Sequence, residues 1–473
     1  MTTFSLNLLE KDLNILKDIL IREDRCERAA YLLCNKARSN KDPWDQHAHE
    51  KYLVTKVITI DDDEILDATP TRITWRTRSF VRALKEAAEK NQTVAVVHSH
   101  TSNYTKFSGQ DDANEPDLLV GAQNRNGPST RILSLILTDN NQLIGRIWFH
   151  PSPTGHVALS IIRVIGSRIA LHYDSRSNKN NSNVLHRQAL AFGKALNRDL
   201  RKLRIAIVGC GATGSAVAMM LARLGVGQLI LFDKDIVDQT NLNRLHGSRQ
   251  ADADAMRPKV EVVAREITNL GLGVRTVVVN RWIGDADCRD ALKSSDIIFG
   301  CTDDHEGRIL INRFSYYYLT PLIDIGFAID VSNDDIPEIK AMDARVSVIG
   351  PGNTCLLCHQ VINPAKAAEQ ALKRMNPAEY ESRKAEAYVY GEGNPSPSVV
   401  TFTTELACMG INELIHRLQG FRGENGHAPN RVRRFHLNED RRPNRPPQSY
   451  CPLCGSEDNW GAGDREPFLD MVN

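Results

Sequence analysis

The chain has little aromatic character, almost no excess charge and no long apolar run. Aromatic residues make up 6% of the sequence, and the formal net charge is +1 with 25% charged residues. A balanced charge gives no bulk attraction to nucleic acid or to an anionic membrane, so neither is an expected partner. No segment reaches the ~18 apolar residues of a membrane span, and the start lacks the features of a signal peptide. We therefore expect a cytoplasmic enzyme.

Cysteine is also scarce, with 10 residues in a chain of 473. In a long intracellular chain this favours metal binding or reactive thiols over disulfides. The length predicts roughly two to four domains. A polar stretch without apolar periodicity, residues 174–184, reads as a linker between domains at 1–173 and 185–473. Leucines at near-helical spacing predict an amphipathic helix over residues 6–22.

The most informative feature of the first third follows a predicted strand at residues 93–97. His98 and His100 are separated by one residue, and Ser108 and Asp111 come after a short loop. Two imidazoles at this spacing lie on one side of an extended chain, and a carboxylate can complete a three-ligand zinc site that leaves a position for water. Such a zinc ion makes hydroxide available near neutral pH, and a nearby acid, for which Glu27 is the candidate, moves the proton.

The pattern H-S-H-x7-S-x2-D resembles the JAMM (JAB/MPN+) metalloprotease family over about residues 5–172. That family cleaves peptide or isopeptide bonds after the C-terminal glycine of ubiquitin-like proteins. The resemblance implies His98, His100 and Asp111 as zinc ligands, Ser108 as an oxyanion stabiliser and Glu27 as the general base. Glu23 and Glu64 are the alternative bases, and an inactive domain that keeps the fold is the alternative to a protease.

A second motif, G-x-G-x-x-G, follows the apolar run 204–208 and opens an alanine-rich helical segment. Glycines at positions 209, 211 and 214 allow a tight turn and close approach of phosphate, and free amides at the helix start face its negative charge. Asp233 ends the next predicted strand, at a distance that suits a hydrogen bond to ribose. The turn alone fits a dinucleotide as well as ATP.

The residues that follow favour a triphosphate. Arg and Lys side chains can neutralise phosphate oxygens, and an acid at a strand end can hold Mg²⁺. The ordered set resembles the E1-like, ThiF/MoeB family of adenylating enzymes over about residues 184–456. The resemblance implies a Rossmann-like domain that adenylates the C-terminal glycine of a ubiquitin-like protein with MgATP. The nucleotide-site residues that it implies are Gly209, Gly211, Gly214, Asp233, Asp235, Asn241, Arg244, Lys259 and Asp303.

Three of these positions carry further interpretation. Asp303 is expected to bind Mg²⁺, and Asn241 to orient the phosphates. Taken alone, Asp235 reads as a surface or capping acid, and only the ordered set makes it a site residue. The resemblance also implies a homodimer, in which Arg187 of one protomer reaches the site of the other.

Two C-x-x-C pairs, Cys355 with Cys358 and Cys451 with Cys454, predict a structural zinc site of four thiolates. E1-like enzymes often carry a further cysteine that receives the activated carboxyl as a thioester. Residues 363–397 contain none, and Cys408 lies in an apolar helical stretch that favours packing. Transfer directly from the adenylate to a thiol or amine of an E2-like or other acceptor protein is therefore an open route.

The overall prediction is an α/β protein with an N-terminal JAB/MPN-type α/β domain and a C-terminal Rossmann-like E1 adenylation domain that carries a four-cysteine zinc site. Its cofactors are ATP, Mg²⁺ and two zinc ions, one catalytic and one structural. The predicted function is bifunctional, combining activation of a ubiquitin-like protein with processing or deconjugation of that protein. The alternatives are an NAD(P)-dependent oxidoreductase and a scaffold that binds a ubiquitin-like protein without chemistry.

Overall fold

The computed structural model describes residues 2–101, 104–174, 183–332, 334, 336–385 and 397–471. Its contacts divide the chain into two compact units. The first contains Met1–Lys179, Tyr317–Leu319 and Trp460–Asn473, and the second contains Asn180–Tyr316 and Thr320–Asn459. Most of the predicted linker lies outside the described residues. No helix among the described residues has the length and apolarity needed to cross a membrane.

The first unit is built on one mixed sheet of nine strands, with helices against both faces and a separate two-stranded hairpin. The strand order is β11-β10-β1-β3-β2-β6-β7-β8-β9, and β4 pairs with β5. The strands are β1 (Thr3–Leu9), β2 (Ala29–Ser39), β3 (His49–Thr59), β4 (Ile65–Thr69), β5 (Arg72–Trp75), β6 (Thr93–His100), β7 (Ile132–Thr138), β8 (Leu143–Trp148), β9 (His156–Ala158), β10 (Ile161–Ile165) and β11 (Ile169–Tyr173). The helices are α1 (Glu10–Leu20), α2 (Thr77–Glu89) and α3 (Gly109–Asn126).

Alternate residues of the central strands enter two different cores. On β2, Ala30, Leu32 and Cys34 pack on the face that α1 covers, whereas Tyr31 and Leu33 pack on the face that α2 and α3 cover. Because side chains alternate across a strand, this sheet needs apolar residues at nearly every central position. The same alternation fixes which residues of β6 face α3.

The predicted helix over residues 6–22 is wrong in its first part, where the structure has strand β1. Leu6 and Leu8 are buried on one face of the sheet, which is the alternation of a strand. β1 lies between β3 and β10 and pairs with both in parallel. The helix itself is α1, which buries Leu13, Leu16 and Leu20. Leucines at positions 6, 8 and 9 are compatible with the two-residue period of a strand and with the helical period of about 3.6 residues. Pairing with β3 and β10 makes this segment a strand.

The C-terminal residues from Trp460 onward belong to the first unit, a placement that no sequence pattern indicates. The side-chain amide of Asn35 donates to the carbonyl of Gly461 (2.8 Å), and the backbone amide of Arg38 donates to Asp464 (2.7 Å). Phe468 is buried. These contacts place the tail against β2.

The second unit has an eight-stranded sheet in the order β14-β13-β12-β15-β16-β17-β18-β19. The first five strands of that order run parallel, and β17, β18 and β19 each pair antiparallel with the strand before them. The strands are β12 (Arg204–Val208), β13 (Gln228–Phe232), β14 (Arg275–Val279), β15 (Ile297–Gly300), β16 (Leu322–Val331), β17 (Ile339–Ile349), β18 (Asn430–Arg434) and β19 (Glu439–Arg441). The helices are α4 (His186–Lys202), α5 (Ala212–Arg223), α6 (Gln250–Asp254), α7 (Lys259–Asn269), α8 (Arg289–Lys293), α9 (His305–Tyr317), α10 (Pro364–Met375), α11 (Pro377–Ala385) and α12 (Val400–Gln419).

The strand order reverses at β12, because β13 and β14 extend the sheet in one direction and β15 and β16 in the other. In parallel α/β sheets a ligand binds outside the carboxyl ends of the strands at such a switch point. The residues after β12 are the glycine-rich turn, and those after β15 include Asp303. The topology therefore brings the two predicted halves of the nucleotide site together.

Candidate nucleotide and metal sites

A cavity of about 410 Å³ lies at the switch point of the second sheet. Seven of the predicted nucleotide-site residues line it: Gly209, Gly211, Asp233, Asp235, Arg244, Lys259 and Asp303. Gly209 has φ of +93°, and a Cβ there would lie 2.8 Å from backbone atoms of Cys301 and Thr302. Only glycine permits this approach of the β12 turn to the segment that carries Asp303.

The other two glycines have different physical roles. A Cβ on Gly214 would lie 1.8 Å from the carbonyl oxygen of Gly209, so this glycine allows α5 to start directly behind the turn. A Cβ on Gly211 would meet nothing within 4 Å, since that position faces open space at the start of α5. The free amides of the first turn of α5 and its helix dipole make this space suitable for an anion.

The charged groups of the cavity are coupled. Asp233 accepts hydrogen bonds from the backbone amides of Cys210 (2.7 Å) and Asp235 (2.9 Å). Burial raises the pKa of Asp233, and Lys259 opposes that rise. Burial alone lowers the pKa of Lys259, but the carboxylates of Asp233 and Asp235 outweigh burial and raise it. Lys259 donates to Asp235 (3.0 Å) and stays a cation inside the cavity.

Asn241 does not line the cavity. Its side-chain carbonyl accepts from the backbone amide of Asp238 (3.4 Å), and Asp238 accepts from the backbone of Asn241, which closes a capping box. The carbonyl of Asn241 then accepts from the amide of Arg244 (3.0 Å). Asn241 thus holds the turn that presents Arg244. Arg187 is exposed on α4 and does not line the cavity of its own chain.

Arg308 lines the cavity and was missed by sequence reasoning. It lies on the first turns of α9, and its Nε donates to the buried carboxylate of Asp324 (3.4 Å), which Arg345 also contacts. Two arginines on one carboxylate leave a positive charge at this end of the cavity. An arginine one turn beyond Asp303 and Asp304 was the available signal. The aromatic Phe327 also lines this cavity, and no sequence pattern indicates its place there.

The second candidate site lies in the first unit, where β6 ends beside the start of α3. His98 and His100 share a face of β6 with Val94 and Val96, which is the face that α3 covers. The Nε2 atom of His98 lies 3.3 Å from Asp111 and 3.2 Å from Nε2 of His100. The three possible ligand atoms lie within 4.8 Å of one another. Two imidazoles and a carboxylate at this spacing fit a catalytic zinc ion.

The surroundings keep these ligands in the states that zinc requires. Burial lowers the pKa of His98 to about 4 against the opposing charge of Asp111, so the imidazole is neutral. Nδ1 of His100 donates to the carbonyl of Tyr104 (3.0 Å), which leaves Nε2 as the ligand atom. Ser108 caps α3, and its hydroxyl donates to Asp111 (2.7 Å).

Glu27 lines the same cavity, which measures about 390 Å³. Burial, followed by the charge of Asp111, raises the pKa of Glu27 to about 7. An acid with this pKa can accept and return a proton near neutral pH. Neither alternative base lines the cavity, and both oxygens of Glu64 accept from Arg82 (2.7 and 2.8 Å). Residues 70–73 and Trp75, in and beside the β4–β5 hairpin, form one wall of this cavity, a contribution that the sequence did not predict.

The four cysteines of the two C-x-x-C pairs form a buried cluster, with ligand atoms within 4.8 Å of one another. The sulfur atoms are 3.7 Å apart for Cys355 and Cys451, and 3.6 Å apart for Cys358 and Cys454. Four thiolates at these distances fit a structural zinc ion, as the spacing predicts. Burial raises the pKa of Cys408, which lies on α12 outside this cluster, so its thiol is protonated at neutral pH.

Residues 185–455 match the ThiF family, and residues 17–149 match the prokaryotic homologs of the JAB domain, which confirms both resemblances. The chain is 37% identical over 189 residues to Ubiquitin-like modifier-activating enzyme 5 of Drosophila pseudoobscura pseudoobscura, covering 37% of this chain and 44% of that protein. It is 33% identical over 126 residues to Molybdopterin-synthase adenylyltransferase of Escherichia coli (strain K12), covering 26% of this chain and 49% of that protein. The chain thus spans less than half the length of these relatives.

Among solved structures, that of E. coli MccB with ATP matches with a TM-score of 0.44 and 19% identity. The match covers 58% of this chain and 75% of that chain. A second structure, of E. coli MccB without a named ligand, gives a TM-score of 0.45 at 20% identity and covers 60% of this chain and 76% of that chain.

Two glycines of the nucleotide turn give a matched pair of variants. Gly214→Ala is expected to lower the melting temperature by several degrees, because its methyl group overlaps the carbonyl of Gly209. Gly211→Ala is expected to change the melting temperature little, since its methyl group enters open space, but to weaken ATP binding. Scanning calorimetry measures the melting temperature of each variant, and titration with ATP measures its affinity for the nucleotide. Equal melting temperatures for the two variants would contradict this account of the turn.

Cys451→Ser is expected to remove one zinc ion per chain and to destabilise the protein strongly, because a structural zinc site contributes directly to folding. Cys408→Ser is the control, since this cysteine lies outside the cluster. Elemental analysis and thermal unfolding of both variants make the test. Unchanged zinc content in Cys451→Ser would mean that the cluster does not hold the metal.

Proposed function

Because the chain belongs to the ThiF family, we propose that its second unit adenylates the C-terminal glycine of a ubiquitin-like protein. The observation that carries this proposal is the convergence of the glycine-rich turn, two cations and the predicted Mg²⁺ ligand on one cavity. The name of the relative Ubiquitin-like modifier-activating enzyme 5 supports the class of substrate. The first unit would process or deconjugate the same protein.

In this proposal the backbone amides after β12 bind the phosphates, and the half-buried Asp233 accepts hydrogen bonds from the ribose. Lys259 and Arg244, which line the same cavity, neutralise the phosphate oxygens. The carboxylate of Asp303 suits Mg²⁺, which prefers hard oxygen ligands and, when bound, neutralises charge on the phosphates. Asp304 is less suited to that role, since it accepts from Trp282 (2.7 Å) and from the amide of Gly307 (3.0 Å) at the start of α9.

The end of the cavity lined by Ile325, Phe327 and Thr403 is partly apolar and would take the extended tail of the substrate protein. A carboxylate oxygen of its last glycine attacks the α-phosphorus of ATP, and the bond from that phosphorus to the oxygen bridging the β-phosphate breaks. The products are an acyl adenylate and pyrophosphate. We propose that a homodimer forms and that Arg187 of one protomer completes the site of the other.

The adenylate then reacts with an acceptor. No cysteine lies between residues 363 and 397, and burial raises the pKa of Cys408, so neither position supports a thioester on this chain. We propose direct attack on the adenylate by a thiol or amine of an E2-like or other acceptor protein.

For the first unit we propose hydrolysis after the glycine tail at the site formed by His98, His100 and Asp111. When bound there, zinc would lower the pKa of its water and polarise the scissile carbonyl. Glu27 takes the proton from the water and returns it to the leaving amine. The Ser108 hydroxyl, which now donates to Asp111, would donate to the oxyanion. The two units would then act in opposite directions on the same tail.

Asp303→Asn is expected to reduce adenylation by about 10²–10³-fold or more, because it removes a charge that stabilises the transferring phosphate. Exchange of labelled pyrophosphate into ATP, with a candidate ubiquitin-like protein present, measures this step. Asp254→Asn, at an exposed position of α6, is the control and should exchange at the rate of the unmodified protein. Cleavage by the first unit should survive in both variants, and undiminished exchange in Asp303→Asn would remove Asp303 from the site.

Glu27→Gln is expected to reduce cleavage by about 10²–10⁴-fold while leaving pyrophosphate exchange intact. In the unmodified protein the carboxyl group must be ionised to act as a base, and burial raises its pKa to about 7. Cleavage should therefore fall on the acid side, where this carboxyl group is protonated, and level off at higher pH. The assay uses a candidate ubiquitin-like protein that is extended beyond its last glycine. Glu23→Gln in this chain is the control variant. Full cleavage by Glu27→Gln would assign the base to another acid.

A further inference from the structure

A buried arginine lies behind the metal site of the first unit and has no part in the mechanism above. Arg146, on β8, is 4% exposed. Its Nε donates to Glu115 (2.7 Å) and its Nη1 donates to Asp112 (2.5 Å), and both acids lie on α3. Charged hydrogen bonds of this kind, shielded from water, fix the geometry of the groups that they join. One cation on the sheet thus holds the first two turns of α3.

The same guanidinium group is enclosed by two aromatic rings. It lies 3.8 Å from the ring centre of Phe107 and 4.9 Å from that of Trp148. The indole nitrogen of Trp148 donates to the Glu115 oxygen that Arg146 also contacts (2.5 Å). The ring of Phe107 in turn meets the imidazole of His98 edge to face, with centroids 6.5 Å apart. Contact therefore runs from Arg146 to a metal ligand through one ring.

These contacts lie on both sides of the segment that carries Ser108 and Asp111. Phe107 directly precedes Ser108, Asp112 directly follows Asp111, and Glu115 lies one turn further along the helix. We propose that Arg146 is a positioning residue of the metal centre, which fixes the start of α3 so that Asp111 meets His98 and His100. This inference rests on the proposed zinc site of the first unit.

Arg146 also determines which acid of this segment is available to the metal. Asp111, Asp112 and Glu115 lie within five positions, and Glu115 lines the same cavity as the histidines. The ion pairs with Arg146 engage Asp112 and Glu115, whereas Asp111 is turned towards the histidines (3.3 Å to His98). Without the arginine, Asp112 would lose its ion pair and Glu115 would keep the hydrogen bond from Trp148 without a compensating charge, so that both carboxylates could compete with Asp111 for the ion.

The test measures metal affinity of the full chain without any substrate. The protein is treated with a chelator too weak to remove zinc from the four-cysteine cluster, and the emptied histidine site is then titrated with Co²⁺. Any Co²⁺ that exchanges into the cluster is recognised by the intense near-ultraviolet absorption of its thiolate complex. Zinc affinity is then measured by competition with a chromophoric chelator. His98→Ala identifies the signal that belongs to the histidine site.

Arg146→Met is expected to weaken metal binding at the histidine site by about 10–100-fold, the usual effect of removing a group that orients metal ligands. Arg146→Lys should recover part of this loss, because it keeps the charge without the planar fork. Arg163→Met is the matched control, since Arg163 is a buried arginine on β10 that donates to Asn7 (3.2 Å). The zinc retained by the four-cysteine cluster should be the same in every variant.

Arg146→Met leaves the buried Glu115 uncompensated, so Arg146→Met/Glu115→Gln serves if the single variant does not fold. The double variant should fold and bind metal as weakly as predicted. Unchanged affinity in a folded Arg146 variant, or an equal loss in Arg163→Met, would overturn the positioning role while leaving the metal site intact. Absence of a histidine-site signal in the unmodified protein would instead overturn the zinc site itself, and the inference with it.

Discussion

The nucleotide site depends on one close contact between two pieces of backbone. Gly209 brings the turn after β12 so near to Cys301 and Thr302 that a Cβ would lie 2.8 Å from their atoms. This contact joins the phosphate-binding turn to the segment carrying Asp303 across the point where the strand order reverses. Gly214 imposes a similar steric constraint within the turn, since a side chain at this position of α5 would meet the carbonyl of Gly209. The chemistry proposed for the second unit follows from this geometry.

In the first unit the corresponding constraint is the alternation of a strand buried on both faces. His98 and His100 lie on the same side of β6 as Val94 and Val96, so they must face α3. Ala29, the first residue of β2, pairs with His98, and Glu27, two residues before it, lines the same cavity as the histidines. The capping box of Ser108 and Asp111 starts α3 with a carboxylate turned back towards the histidines. Backbone periodicity and one helix cap thus assemble the ligands.

Much of both sites could be predicted because it is local in sequence. The glycine turn, the H-x-H pair and the C-x-x-C pairs each carry their geometry within a few residues. Residues that act through long-range packing could not be predicted in this way. Arg308 reaches the cavity from α9, Trp75 forms a wall of the metal-site cavity from the β4–β5 hairpin, and Arg146 approaches the metal site from behind. The secondary structure of the β1 segment could not be predicted for the same reason, because only its pairing with β3 and β10 makes it a strand and not a helix.

The central claim is that the second unit makes a C-terminal carboxylate reactive by joining it to AMP. Intact-mass spectrometry of a candidate ubiquitin-like protein, incubated with this protein and MgATP, measures that product directly. The account predicts an AMP adduct on the unextended protein that disappears when its last glycine is deleted. Binding of a reduced nicotinamide cofactor in the cavity, with no adduct and no ATP binding, would contradict it.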